Sequence, residues 1–120
     1  MKSIISIIFA FFGLALVSFA QLSADGIRKL KKDAERGDAD SQYYLAIIYD
    51  NGEGVPVDDA EAFKWYRKAA EQGNVDAQYN LAIKYALGEG IPEDLTEASN
   101  WFRKVAKQGH SVAKNMLGLM

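Results

Sequence analysis

Apolar residues between residues 37 and 108 recur every three or four positions, the spacing of a helix with one buried face. In Ala39–Asp50, Ser41, Leu45 and Tyr49 fall at i, i+4 and i+8. Ala77, Leu81 and Tyr85 repeat that face, and Ala113 and Leu117 begin it again. A second type of segment runs from Asp58 to Gln72, with Ala62, Tyr66, Ala69 and Ala70 at helical spacing and Trp65 beside them. Ala98, Phe102, Val105, Ala106 and Trp101 are its copy. The spacing predicts alternating A and B helices. Asp58 or Asp59 caps the first B helix, Asp94 or Thr96 the second, and Gly73 and Gly109 end them. Links of two residues make neighbouring helices antiparallel.

The alternation reflects an internal repeat. Residues 37–72 align with 73–108 without a gap, and 20 of 36 positions are identical. A third copy starts at Gly109 and runs to Met120, and a half repeat, residues 22–36, precedes the first. A fixed period of this length indicates stacked units, none of which buries its apolar face alone. The fold class predicted is all-α: an α/α solenoid of six helices, or about three helical hairpins. Ser41, Ala77 and Ala113, and likewise Ala46, Ala82 and Gly118, are small residues in register where backbones approach closely. Trp65 and Trp101 are read as core.

The segment "YDNGEGVPVDD" (Tyr49–Asp59) has the look of a calcium loop, and the repeat tests that reading. Calcium takes six to eight oxygens. Asp50 becomes Ala86 and Asn51 becomes Leu87, while the glycines, Glu53/Glu89, Pro56/Pro92 and Asp58/Asp94 persist. Glycine past a helix end and aspartate at an N-cap describe a turn between helices. A phosphate cradle is weaker still, because the Walker lysine and a preceding strand are missing.

Residues 1–20 form a different kind of segment. One lysine precedes an apolar run from Ile4 to Val17, and Ser18-Phe19-Ala20 supplies small residues for a cut before Gln21. The pattern is that of a secretory signal peptide, with a periplasmic or secreted product. The alternative is an uncleaved membrane anchor, of borderline length for a span. Arg28, Lys29, Lys31 and Lys32 follow closely, and positive charge tends to stay cytoplasmic. They are otherwise read as a solvated helix face. Without residues 1–20 the chain has 13 basic and 16 acidic residues, a balance against nucleic acid as partner. Cysteine is absent and His110 is the sole histidine, so disulfides, thiolate zinc sites and histidine-rich metal sites are excluded.

Ala70–Gly109 resembles the Sel1-like repeats, relatives of tetratricopeptide repeats. The matching marks are Ala77-Gln78, Leu81, Tyr85, Gly88-Glu89-Gly90, Asp94, Ala98, Trp101 and Ala106 to Gly109, and the first copy matches equally well. Ala46 and Ala82 stand where glycine is commoner, and Asn115 replaces a tyrosine. The resemblance implies an adaptor built as an α/α solenoid, periplasmic or secreted in bacterial members with signal peptides. A cysteine-rich subgroup linked to β-lactam hydrolysis is excluded by the missing cysteines.

At 100° per residue, Tyr43, Ile47 and Asp50 fall away from the Leu45/Tyr49 face, and Tyr79 and Ile83 repeat the first two. With Leu87 at the edge, Tyr43, Ile47, Tyr79 and Ile83 are the candidate binding stripe on a concave surface for a protein or peptide. The alternative is that they pack between adjacent A helices. No catalytic residue, metal ligand or cofactor is assigned. Catalysis needs a nucleophile with a base, or paired carboxylates, and Glu53 and Glu89 lie in separate turns. Three functional classes follow: an exported non-catalytic interaction module, a membrane-anchored structural subunit, and an envelope hydrolase, the least supported. Membrane contact requires the N-terminal segment to be retained, and no oligomeric state is assigned.

Overall fold

The computed structural model describes residues 24–108; the proposed signal peptide and the A helix expected in residues 109–120 lie outside them. Among the described residues there are five helices and no strand. They are α1 (24–35), α2 (Ala39–Asn51), α3 (Asp59–Glu71), α4 (Val75–Leu87) and α5 (Leu95–Lys107). Helices α2 and α4 are the predicted A type, α3 and α5 the B type. None is long and apolar enough to cross a membrane.

A capping side chain starts each helix from α2 to α5. Asp38, Asp58, Asn74 and Asp94 hold extended backbone, and each accepts a hydrogen bond from the N–H three residues on. Each cap satisfies a donor that the first helical turn leaves unpaired. At Asp38 the Ser41 hydroxyl donates as well, and these bonds hold the Asp38 carboxyl below its ordinary value. The A helices end at Gly52 and Gly88, at φ 72° and 69°, a left-handed conformation that glycine adopts without steric cost. Glu53 N–H then reaches Ile48 O at 3.1 Å and Asp58 N–H reaches Tyr49 O at 2.9 Å; Glu89 and Asp94 repeat both bonds. The loop that could have been a calcium site is therefore a turn closed by its own backbone.

Helix α3 packs against both α2 and α4, and α5 against α4. Leu45, Ala46, Ala62, Tyr66, Ala69, Ala77 and Leu81 form one buried cluster; Ala82, Ala98, Phe102 and Val105 form the next. Half-buried Tyr85 and Trp101 touch both clusters and join them. Phe63 meets Tyr85 edge-on at 5.3 Å. Trp65 is buried, as expected, and its indole N–H donates to Glu61 at 3.2 Å.

A polar ladder crosses this packing in register. Buried Gln42 donates to Ala34 O at 3.0 Å and accepts from Gln72 at 2.8 Å. Gln78 does the same with Ala70 O at 3.1 Å and Gln108 at 2.8 Å. Each glutamine thus ties an A helix to the B helices on both sides of it. The turn after α4 also seats on the preceding unit. A Cβ on Gly90 would lie 2.5 Å from the carbonyl oxygen of Asp59, and its φ is +79°.

Candidate functional site

Helices α2 and α4 lie side by side. Asn74, the cap of α4, donates to Asp40 of α2 at 3.2 Å. Tyr43 of α2 faces Asp76 and Asn80 of α4: burial and then the Asp76 charge raise its phenol, while the Asn80 side chain on the hydroxyl works the other way. The predicted stripe runs along these two helices. Tyr43, Ile47, Tyr79 and Ile83 are all half-buried. Tyr43 and Ile47 rest on the first core cluster, Tyr79 and Ile83 on the second. Tyr43 lies 6.2 Å from the ring of Tyr66, and Tyr79 meets Phe102 edge-on at 5.9 Å. Leu87 is 62% exposed. Tyr44, which the periodicity did not single out, is 56% exposed, and its ring lies tilted beside Tyr43 at 5.4 Å.

Asp50 takes a different place from the one its helical position suggests. It turns into the joint between repeats, where it accepts from the buried Tyr66 hydroxyl at 3.2 Å and from Lys84. Burial, followed by the charge and hydrogen bond of Asp50, raises the Tyr66 phenol far above its usual range. Lys84 itself is 3% exposed. Its ammonium donates to Asp50 and, at 2.8 Å, to Glu89, with Asp59 at 3.8 Å. Burial pulls its pKa down, but the hydrogen bonds and charges of Asp50 and Glu89 outweigh that and hold it above the ordinary lysine value.

One group of acids capable of holding a cation comes together among the described residues: Asp50, Asp59 and Glu89, with one oxygen from each within 4.8 Å of the others. The Lys84 ammonium sits among them, so the chain supplies that cation itself. Sequence reading missed this joint, yet the signal was present. Lys84 stands where the first copy has Ile48, and Asp50 and Asp59 face Ala86 and Leu95 in the alignment. A charged pair that breaks the repeat at two matched positions marks a contact between copies. The Gln42/Gln78 ladder, likewise not anticipated, carries the opposite signal, since those residues persist in register. What the exposed surface offers a ligand is apolar area with carboxylates nearby. The basic residues of α1 lie on its exposed side, where Arg28 pairs with Asp25 at 2.9 Å.

Antiparallel helix pairs of one length, closed by the same glycine turn and stacked in register, define a helical-hairpin repeat protein. The Sel1 repeat model matches residues 39–74 and 75–110, and the chain belongs to the Sel1 repeat family. Solved structures agree. A Sel1 repeat protein from Oxalobacter formigenes is 40% identical with a TM-score of 0.73, over 75% of this chain and 26% of that one. A protective antigen present in uropathogenic Escherichia coli strains is 39% identical with a TM-score of 0.77, over 78% of this chain and 20% of that one. The chain therefore spans about a quarter and a fifth of those two proteins. Helicobacter pylori cysteine rich protein B is 28% identical with a TM-score of 0.75, over 87% of this chain and 79% of that one. No curated protein matches the chain significantly. The fold is that of a protein–protein interaction module, in a family that is generally non-catalytic.

Proposed function

We propose that the chain is an exported, non-catalytic adaptor or regulator of the cell envelope that grips a peptide or protein segment on the α2/α4 surface. The observation that carries this reading is the half-exposed stripe of Tyr43, Ile47, Tyr79 and Ile83, continued by exposed Tyr44 and Leu87. Apolar side chains repeated in register on one face of a solenoid are the usual form of such a contact surface. Export rests on the apolar run and the small residues before Gln21. Intact mass of the native protein tests it: a chain beginning at Gln21 supports export, and a retained Met1 favours the anchored subunit.

The grip is tested by capture from envelope extracts with wild-type protein and with Ile83→Asp and Leu87→Asp variants. Loss of a captured partner at unchanged Tm supports the reading. Equal loss of helical signal assigns the stripe to packing instead.

A further inference from the structure

The chemistry of the occupant can be read from how charge is distributed, given that the α2/α4 surface is the binding face. Of the twelve cations among residues 24–108, eleven lie on α1, on the residue after it, on α3 or on α5. Helices α2 and α4 carry one, Lys84, and it is buried and held by three carboxylates. The same two helices carry Asp40 and Asp76, exposed in the first turn of each and equivalent in the two copies. At the far end of α4, Asp50, Asp59 and Glu89 keep an excess of two negative charges after pairing with Lys84. Between these two ends run the apolar side chains, with Tyr44 and Leu87 the most open. The face is therefore an apolar strip with carboxylates at both ends and no unpaired cation on either helix.

We propose that the occupant is a basic amphipathic peptide segment, with lysine or arginine on either side of two or three large apolar residues. An acidic segment would set its carboxylates against Asp40 and Asp76 without a counter-charge, and a neutral one would leave the acids unused. Charge complementarity of this kind steers encounter and rejects wrong partners. Asp76 and Leu87 are eleven residues apart on α4, roughly 16 Å at 1.5 Å per residue. An extended peptide covers that distance in about five residues, which sets the length of the segment that lies along the strip.

The probe is a display library of random twelve-residue peptides, selected on the full-length chain in mild detergent and counter-selected on its Tyr44→Ser/Leu87→Ser variant. Both substituted side chains are exposed, so the fold is kept, and an unchanged melt verifies it. The result expected is face-dependent binders with net positive charge. Their affinity falls about tenfold between 50 and 300 mM salt, and by a similar factor in the Asp40→Asn/Asp76→Asn variant. Face-dependent binders that are neutral or acidic overturn the charge inference and leave the binding face standing. Binders that ignore Tyr44→Ser/Leu87→Ser overturn both. Concentration-dependent dimers that block peptide binding and vanish in the same variant show that a second copy covers the face, and also overturn it.

Discussion

Replacing Lys84 by methionine keeps the length of the side chain and removes its charge. The wild-type ammonium lies among Asp50, Asp59 and Glu89, whose nearest oxygens come within 4.8 Å of one another. At an effective dielectric of about 20, two charges at that distance repel by about 3 kcal/mol. Side chains of the three acids are 26%, 47% and 43% exposed, so solvent screens part of this. Methionine also escapes the desolvation cost of a buried ammonium. A net loss of about 2–3 kcal/mol follows, at or below the range for removing one partner of a buried pair. For a domain of this size that lowers Tm by about 10–20 °C.

The assay is thermal unfolding followed by circular dichroism at pH 7, with partial rescues. Lys84→Met/Asp50→Asn/Glu89→Gln leaves half-exposed Asp59 with no like charge beside it, so the repulsion is gone and the variant returns to within about 1 kcal/mol of wild type. Millimolar calcium raises the Tm of Lys84→Met and leaves wild type unchanged. If Lys84→Met melts within about 3 °C of wild type, or the triple variant melts no higher than the single one, the ammonium does not hold the joint.

The glycine turn gives a second test. Gly90→Ala drives a Cβ to 2.5 Å from the Asp59 carbonyl at φ +79°, whereas Gly73→Ala at φ +98° meets open space. In urea titrations the first costs about 3 kcal/mol or more and the second about 1–2. Gln78→Ala removes the buried donor to the Ala70 carbonyl and the tie to Gln108, and costs about 1–2 kcal/mol in the same assay. Alkaline pH gives a fourth. Tyr66 and Lys84 both hold their protons more tightly folded than unfolded, so their stabilisation is intact below pH 10 and is lost as pH rises past their unfolded values of 10.0 and 10.5. Tm should fall steeply above pH 10, and less steeply in Tyr66→Phe; a flat profile to pH 11 contradicts this.

Periodicity and repetition made the helices, caps and turns readable, because each is set by residues within about nine positions of one another. Asp58 and Asp94 cap the B helices, and Leu45, Leu81, Tyr66 and Phe102 are buried where the pattern places them. The joint between copies was harder. Lys84 meets Asp50 across 34 residues, a separation that a scan of single faces does not bridge. Tyr43 also reaches further back than its helical angle suggests, since a long aromatic side chain on the flank of a helix can rest on the core. Hence the stripe is half-buried and rests partly on the core.

The Lys84 joint is directional. Joining the second unit to another copy of itself would set its lysine against Ala86 and Leu95, with Glu89 as its one acid. Joining the first to itself would set Ile48 against Asp50 and Asp59 and leave both carboxylates without their cation. Only the native succession, first then second, matches ion to ion. The hairpins are thus keyed rather than interchangeable: an engineered array, or two molecules trading hairpins, assembles in register only where that key meets its lock.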